Sequence, residues 1–418
     1  MSRNTRREFL KTAGAGIGVT ALAGCSGGNN ANSSNGQSST KSSSGTTTSQ
    51  SSTGGNSKYK PHIEVVTPLT GPLAVAGPKI KAAAKLAVAD ANQKYSDKPP
   101  VTYDVKDSKA NVQTARNLAN QAFDAGSVAV TGTVSSDVAL ALRALVQQKK
   151  VPFLPSNAVN PEVTKAGTKY VYRTTVENNQ NAIGSAQYFK NAGIQKAALI
   201  GADFSYPRSF AKAIKQYAGK YGVQLTQEQY VPLGTKNFNP TIQNIDFSSI
   251  DALYTIYPGK NATVLIKQLR QNGAFDKIKQ TFGGNTYGSP PLAKALGSDR
   301  VDVGWEGRNR ANKVVSALGQ EIQSQLNATP NIYHFVGYDS VRYAAEAIHA
   351  ADTLTPEGVN KALQNNPMNY HSRVDDSLVK PGSGGYNKNA TLTCGLWEKS
   401  GSNVDAKMVY TTKPLNYR

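Results

Sequence analysis

Beyond residue 59 the chain alternates short apolar runs with longer stretches whose apolar residues recur at helical spacing. Ile63-Glu64-Val65-Val66-Thr67-Pro68-Leu69 reads as a strand, and 78–94 sets Ile80, Ala83, Ala84, Ala87 and Ala91 along one helical face. The pattern then predicts strands at 101–106, 128–132 and 152–155, with helices at 111–125 and 136–149 between them. Such a β-α repeat, with right-handed crossovers, builds a parallel doubly wound sheet. A second series follows Tyr170-Val171-Tyr172-Arg173-Thr174. It has strands at 197–201, 223–230, 252–257 and 279–282, and helices near 179–191, 207–221 and 260–272. After that the order breaks, for 310–326, 335–350 and 355–365 are helical with no strand between them. Helices without partner strands return most simply to cover the first series. The expectation is an α/β fold of two doubly wound parallel-sheet lobes joined by crossing segments.

The first residues are patterned differently. Thr5-Arg6-Arg7-Glu8-Phe9-Leu10-Lys11 reads as a twin-arginine export signal, followed by an apolar stretch and Leu22-Ala23-Gly24-Cys25, which looks like a lipobox. Ala13–Gly24 falls well short of the roughly 20 apolar residues a spanning helix needs. Residues 1–24 are therefore expected to be a signal that is removed, and Cys25 the lipidated first residue of the mature chain. From 25 to 58 the Ser, Thr, Gly, Asn and Gln content buries nothing and reads as a flexible tether. The 418 residues less this leader and tether exceed the size at which a single core stops growing, which again calls for two lobes.

Charge changes the picture little. The net charge of +20 is spread along the chain, with no dense basic block and no nucleic-acid motif, so nucleic acid is not expected as a partner. Attraction to anionic headgroups and life in acid both fit the balance. With Cys25 lipidated, Cys394 is left alone, which leaves no intrachain disulfide in the mature chain; its strand-like run Thr391–Trp397 suits a buried structural thiol. His62, His334, His349 and His371 are widely spaced, and none shows metal-ligand spacing with Cys or carboxylates. A Gly-x-Ser-x-Gly elbow is missing, and Gly283-Gly284-Asn285 is too short for a phosphate loop. No enzyme, metal or cofactor is expected.

Several short motifs recur in order: Pro68-Leu69-Thr70-Gly71-Pro72, Ala87-Val88-Ala89-Asp90-Ala91-Asn92, Gly132-Thr133-Val134-Ser135-Ser136, Val151-Pro152-Phe153-Leu154-Pro155-Ser156, Tyr172-Arg173-Thr174 and Gly337-Tyr338-Asp339-Ser340-Val341. With these the chain resembles the type I solute-binding proteins of ABC importers, in the branched-chain amino acid, amide and urea group. The resemblance implies an amino-terminal lobe of 59–173 plus 308–366 and a carboxy-terminal lobe of 174–307 plus 367–418. It also implies an ABC permease and ATPase as partners, while the export signal and lipobox imply a lipid-anchored place on the outer face of the cytoplasmic membrane. The same fold also serves sensory receptors that feed a signalling partner.

In open α/β sheets ligands sit beyond the carboxyl ends of strands, against helix N-termini. Ser135 and Ser136 hold such a position, where their hydroxyls and amides suit a carboxylate or carbonyl, and one of them also suits an N-cap. Thr70 lies beside the same cleft, and Ser156, Asn157 and Ala158 match the family's second contact loop. Tyr206 and Tyr257 follow strands of the second lobe, and Asn285 matches the loop where amino-acid binders carry an acid. Asn285 and Glu177-Asn178-Asn179-Gln180 depart from the carboxylates that hold an α-ammonium, and Ala76 replaces an aromatic residue. These departures predict a roomier, less anionic pocket for an amide, urea-like compound or carboxylic acid, with a branched-chain amino acid as the alternative.

Overall fold

The computed structural model describes residues 58–284, 287, 303–307, 313–374, 376–400 and 403–418. The export signal, Cys25, nearly all of the tether and Asn285 lie outside the described residues.

The first sheet is wholly parallel and ordered β2-β1-β3-β4. Its strands are β1 (Lys60–Thr67), β2 (Thr102–Asp107), β3 (Ser127–Thr131) and β4 (Phe153–Leu154). Helices α1 (Gly77–Lys94), α2 (Val112–Asp124) and α3 (Ser136–Lys149) connect them. The second sheet is ordered β11-β10-β9-β8-β7-β5-β6. Here β5 (Lys196–Ala202), β6 (Gln224–Val231), β7 (Ala252–Ile256), β8 (Gln280–Gly283) and β9 (Val303–Gly307) run parallel. An antiparallel pair, β10 (Thr393–Ser400) and β11 (Asn403–Thr411), extends the edge. Helices α4 (Asn178–Asn191), α5 (Ser205–Tyr217), α6 (Asn239–Gln243) and α7 (Lys260–Gln271) belong to this series. The two-lobe α/β fold expected from the pattern is the fold observed.

The strandless helices are α8 (Lys313–Leu326), α9 (Ile332–Ala350) and α10 (Pro356–Asn365). They return to the first sheet as expected, and α9 supplies its covering layer: Phe335, Val336 and Val341 share one core with Ile63, Val65, Ile80 and Ala87. The two helices meet closely because residue 337 is glycine; a Cβ there would stand 3.0 Å from the Ile80 Cα. Polar ties flank this seam, with Lys94 Nζ 2.5 Å from Glu346 and the Tyr338 hydroxyl donating to Asp90 at 2.5 Å. Tyr370, Val374 and Val379 lie past the lobe boundary expected at 366, yet they pack in this same core.

The run 170–174, which leads into the second series, makes a single bridge, Val171 to Phe153, and Arg173 is fully buried. Its guanidinium donates to the carbonyls of Ala158 and Asn160 and to Thr164 Oγ1, which satisfies a buried cation with neutral acceptors. The strand β9 and the short α6 were absent from the sequence reading; β9 is a five-residue run with a glycine at position 304 and another at its end. No described helix is long and apolar enough to cross a membrane.

Candidate ligand-binding cleft

A cavity opens where the carboxyl ends of the parallel strands of the two lobes converge, the place an open α/β sheet provides for a ligand. Leu73, Val75 and Ala76 reach it from the loop between β1 and α1, and Val134 from the turn between β3 and α3. Asn157 and Val159 follow β4, and Tyr333 sits in the first turn of α9. From the second lobe come Phe204 and Tyr206 at the start of α5, Ile256, Tyr257 and Pro258 at the end of β7, and Gly284 and Tyr287 after β8.

Tyr257 and Tyr287 are held in place by the protein's own contacts. The Tyr257 hydroxyl donates to Pro232 O at 2.6 Å and accepts from the Thr235 amide at 3.0 Å, while its ring packs edge-on against Phe238. It therefore offers the cleft a ring face rather than a free phenol. Tyr287 is fully buried and lies flat on Gly283, where a Cβ would come within 2.1 Å of the ring. Its carbonyl accepts from the Trp397 indole at 2.8 Å. Phe204 and Tyr206 form a T-shaped pair with centroids 6.0 Å apart.

Polar chemistry in this wall is sparse. Asn157 donates its backbone amide to Thr133 O, but its side-chain Oδ1 is buried with no partner in the protein. That acceptor is available to an N–H or O–H of a ligand. Among the described residues no charged side chain lines the cavity. Behind the wall, Lys79 donates its ammonium to Val75 O at 2.7 Å, and burial lowers its pKa. His334, next to Tyr333, is pushed down to about 4 by burial and then by Lys79, so it is neutral at pH 7. The local field is thus weakly positive, and an ammonium bound here would find no described anionic partner.

Of the residues expected at the site, Asn157, Tyr206 and Tyr257 line the cavity, as does the small Ala76. Five others stand outside its wall. Thr70 is exposed and donates its hydroxyl to Asp107 at 2.6 Å. Ser135 caps α3, accepting from Val138 N at 3.4 Å, and Ser136 Oγ accepts from Asn160 N at 3.3 Å. Ser156 is buried with its hydroxyl 2.6 Å from that of Ser340, and Ala158 is buried with its carbonyl on Arg173. Glu177 does not reach the cleft either; it is fully buried at the start of α4, 3.7 Å from the Arg418 guanidinium. Asn285, between the cavity residues Gly284 and Tyr287, lies outside the described residues. Sequence reasoning passed over Leu73, Val75, Val134, Val159, Ile256, Pro258, Tyr287 and Tyr333. All but the two tyrosines are apolar and resemble core, and only their place just past strand ends or in the β1–α1 loop distinguishes them.

The sequence profile of the periplasmic binding protein family matches residues 62–389, most of the chain. The chain belongs to this family. It is a binding protein and not an enzyme. Leu/Ile/Val-binding protein homolog 1 of Brucella abortus is 25% identical over 323 residues, covering 74% of this chain and 84% of that one. The binding protein also superposes on a Rhodopseudomonas palustris ABC-transporter solute-binding protein solved with 3,4-dihydroxybenzoic acid. That match has a TM-score of 0.73 and 18% identity, over 85% of this chain and 97% of the other. A branched-chain amino acid transporter substrate-binding protein of Streptococcus pneumoniae, solved with isoleucine, gives a TM-score of 0.69 at 18% identity, covering 83% and 99%. These two likenesses concern the fold alone.

Proposed function

We propose that this protein captures a small aromatic carboxylic acid between its lobes and delivers it to an ABC permease and its ATPase. The observation that carries the reading is the cleft wall: five aromatic rings, one unpartnered amide and no carboxylate among the described residues. A flat ring suits the faces of Tyr206, Tyr257, Tyr287 and Tyr333. A hydroxyl or amide substituent satisfies Asn157 Oδ1, and the carboxylate goes to the amino end of α3 beside Val134, where Ser135 and Ser136 begin the helix. In this reading the buried Ser156 and Ala158 act from behind the wall, Thr70 holds the exposed turn after β1 through Asp107, and Asn285 contributes a neutral contact. Ligand bridging both lobes shifts the protein toward a closed form that the permease recognises. The export signal supports folded secretion and attachment through Cys25 to the outer face of the cytoplasmic membrane, where a flexible tether raises the local concentration near the permease.

The Brucella relative's name keeps branched-chain amino acids as the competing ligand class, because an apolar wall also suits their side chains. Thermal shift of the purified protein against benzoate, hydroxybenzoates, benzamide, urea and leucine decides between them. A ligand at about 100 times its Kd stabilises the folded state by about 2.7 kcal/mol. We expect a clear shift with the aromatic acids, and a shift with leucine alone would sink the proposal. Replacing Asn285→Glu is expected to improve amino-acid binding at the expense of the acids.

A further inference from the structure

A second chemical site lies on the first sheet, toward the amino end of β1 and so away from the cleft. Alternation along β1 puts His62, Glu64 and Val66 on the face covered by α2. In the parallel register Glu64 stands opposite Asp104 of the edge strand β2, and His62 opposite Thr102. One ligand atom from each of His62, Glu64 and Asp104 lies within 4.8 Å of the other two. His62 Nε2 is 3.9 Å from Glu64 Oε2 and 3.9 Å from Asp104 Oδ2. These three side chains line a common cavity with Lys60, Lys106 and Gln121.

An independent observation points to a missing occupant. Glu64 is only 4% exposed, lines this cavity, and its Oε1 has no hydrogen-bond partner. A buried carboxylate oxygen left without a partner is costly. The nearest lysine contact does not satisfy it, because Lys106 Nζ lies 3.4 Å from Asp104 instead.

We propose that His62, Glu64 and Asp104 bind one divalent transition-metal ion, with Zn2+ the best match to one imidazole and two carboxylates. Metal–ligand distances near 2.0–2.1 Å place donor atoms of a tetrahedral site roughly 3.3 Å apart. The 3.9 Å separations from His62 Nε2 therefore close with small rotations of the half-buried His62 and the exposed Asp104 toward the buried Glu64. The fourth position is open to water. The second layer is already in place: His62 Nδ1 is 2.8 Å from Thr102 Oγ1, which reaches Pro61 O at 3.4 Å. With Nδ1–H donating to Thr102, the Nε2 lone pair faces the two carboxylates, the arrangement a metal-bound histidine uses. Two carboxylates neutralise the ion, and Lys106 turns out to solvent from an exposed pair that contributes little. Sequence spacing hid the site, because Asp104 lies 40 residues from Glu64 and joins it only through strand pairing. Bound metal would clamp the edge strand β2 to β1 without touching the solute cleft.

The test uses the purified full chain, stripped with chelator and titrated with Zn2+ by calorimetry, with Co2+ absorption as a spectroscopic signature of ligand geometry. One equivalent is expected, together with a rise in melting temperature. Glu64→Gln, His62→Ala and the exposed Asp104→Asn should each weaken Zn2+ binding by at least about tenfold and remove the thermal shift. Binding of the cleft ligand should not change. Asp104→Asn keeps the test decisive if a change at Glu64 disturbs folding, since the Asp104 side chain is 59% exposed. Failure of the wild type to bind, or binding that survives His62→Ala and so belongs elsewhere, such as the exposed His371–Asp376 pair, overturns the assignment.

Discussion

Histidine 334 makes the stability of the amino-terminal lobe depend on pH in a direction that can be worked out. It is the third residue of α9, 3% exposed, with Nδ1 unpartnered, and its folded pKa is lowered to about 4. The unfolded chain titrates this group near 6.5, so between those values the unfolded state holds more protons than the native one. Stability from this group is therefore complete above about pH 6.5 and is lost as pH falls toward 4. For a shift from 6.5 to about 4 the loss on going from about pH 7.5 to 5 is about 2 kcal/mol. His334→Gln removes the titration and retains a polar side chain of similar size. Urea unfolding of both proteins at the two pH values, followed by circular dichroism, measures the effect as a difference in which all shared carboxylates cancel. The wild type should lose about 2 kcal/mol more than the variant on acidification. Parallel losses, or a larger loss in the variant, would refute the reasoning that burial holds this imidazole neutral.

Two further substitutions address the cleft. Tyr257→Phe strips the Pro232 carbonyl and the Thr235 amide of their shared partner, so calorimetry should show about 1–2 kcal/mol less stability together with weaker ligand binding. Gly283→Ala puts a methyl group where the Tyr287 ring lies; the ring must move, and titration calorimetry should show ligand affinity falling by about tenfold or more, the scale of about 1.4 kcal/mol.

The layers of the fold were legible because each rests on a local signal. The apolar face of α1 repeats at helical spacing, and β3 is buried at every position around its apolar centre Val128-Ala129-Val130. Even the return of α9 to the first sheet follows from a helix that has no strand to serve. The polar ends of strands were harder to read. Ser156 looks available in sequence, but its hydroxyl is taken by Ser340, 184 residues on, and Ser135 is occupied in capping α3. A cap and a ligand contact call for the same residue type at the same place, so composition cannot separate them. The apolar wall has the opposite problem. Leu73, Val134 and Ile256 are indistinguishable from core residues until the two lobes face each other. Asn157, Tyr206 and Tyr257 were found because a polar or amphipathic residue just after a strand signals both position and chemistry.

The seam between α1 and α9 has a consequence for how the molecule is made. Lys94 and Glu346 pair across 252 residues, and β10 and β11 complete the second sheet from still later in the chain. Neither half can therefore finish while the ribosome is still adding its middle. The nascent chain carries the alanine-rich face of α1 uncovered until α9 emerges, so folding waits on synthesis and is slow for its local helix content. During that interval the uncovered apolar face is prone to aggregate. A product truncated within the second lobe would retain that exposed face permanently.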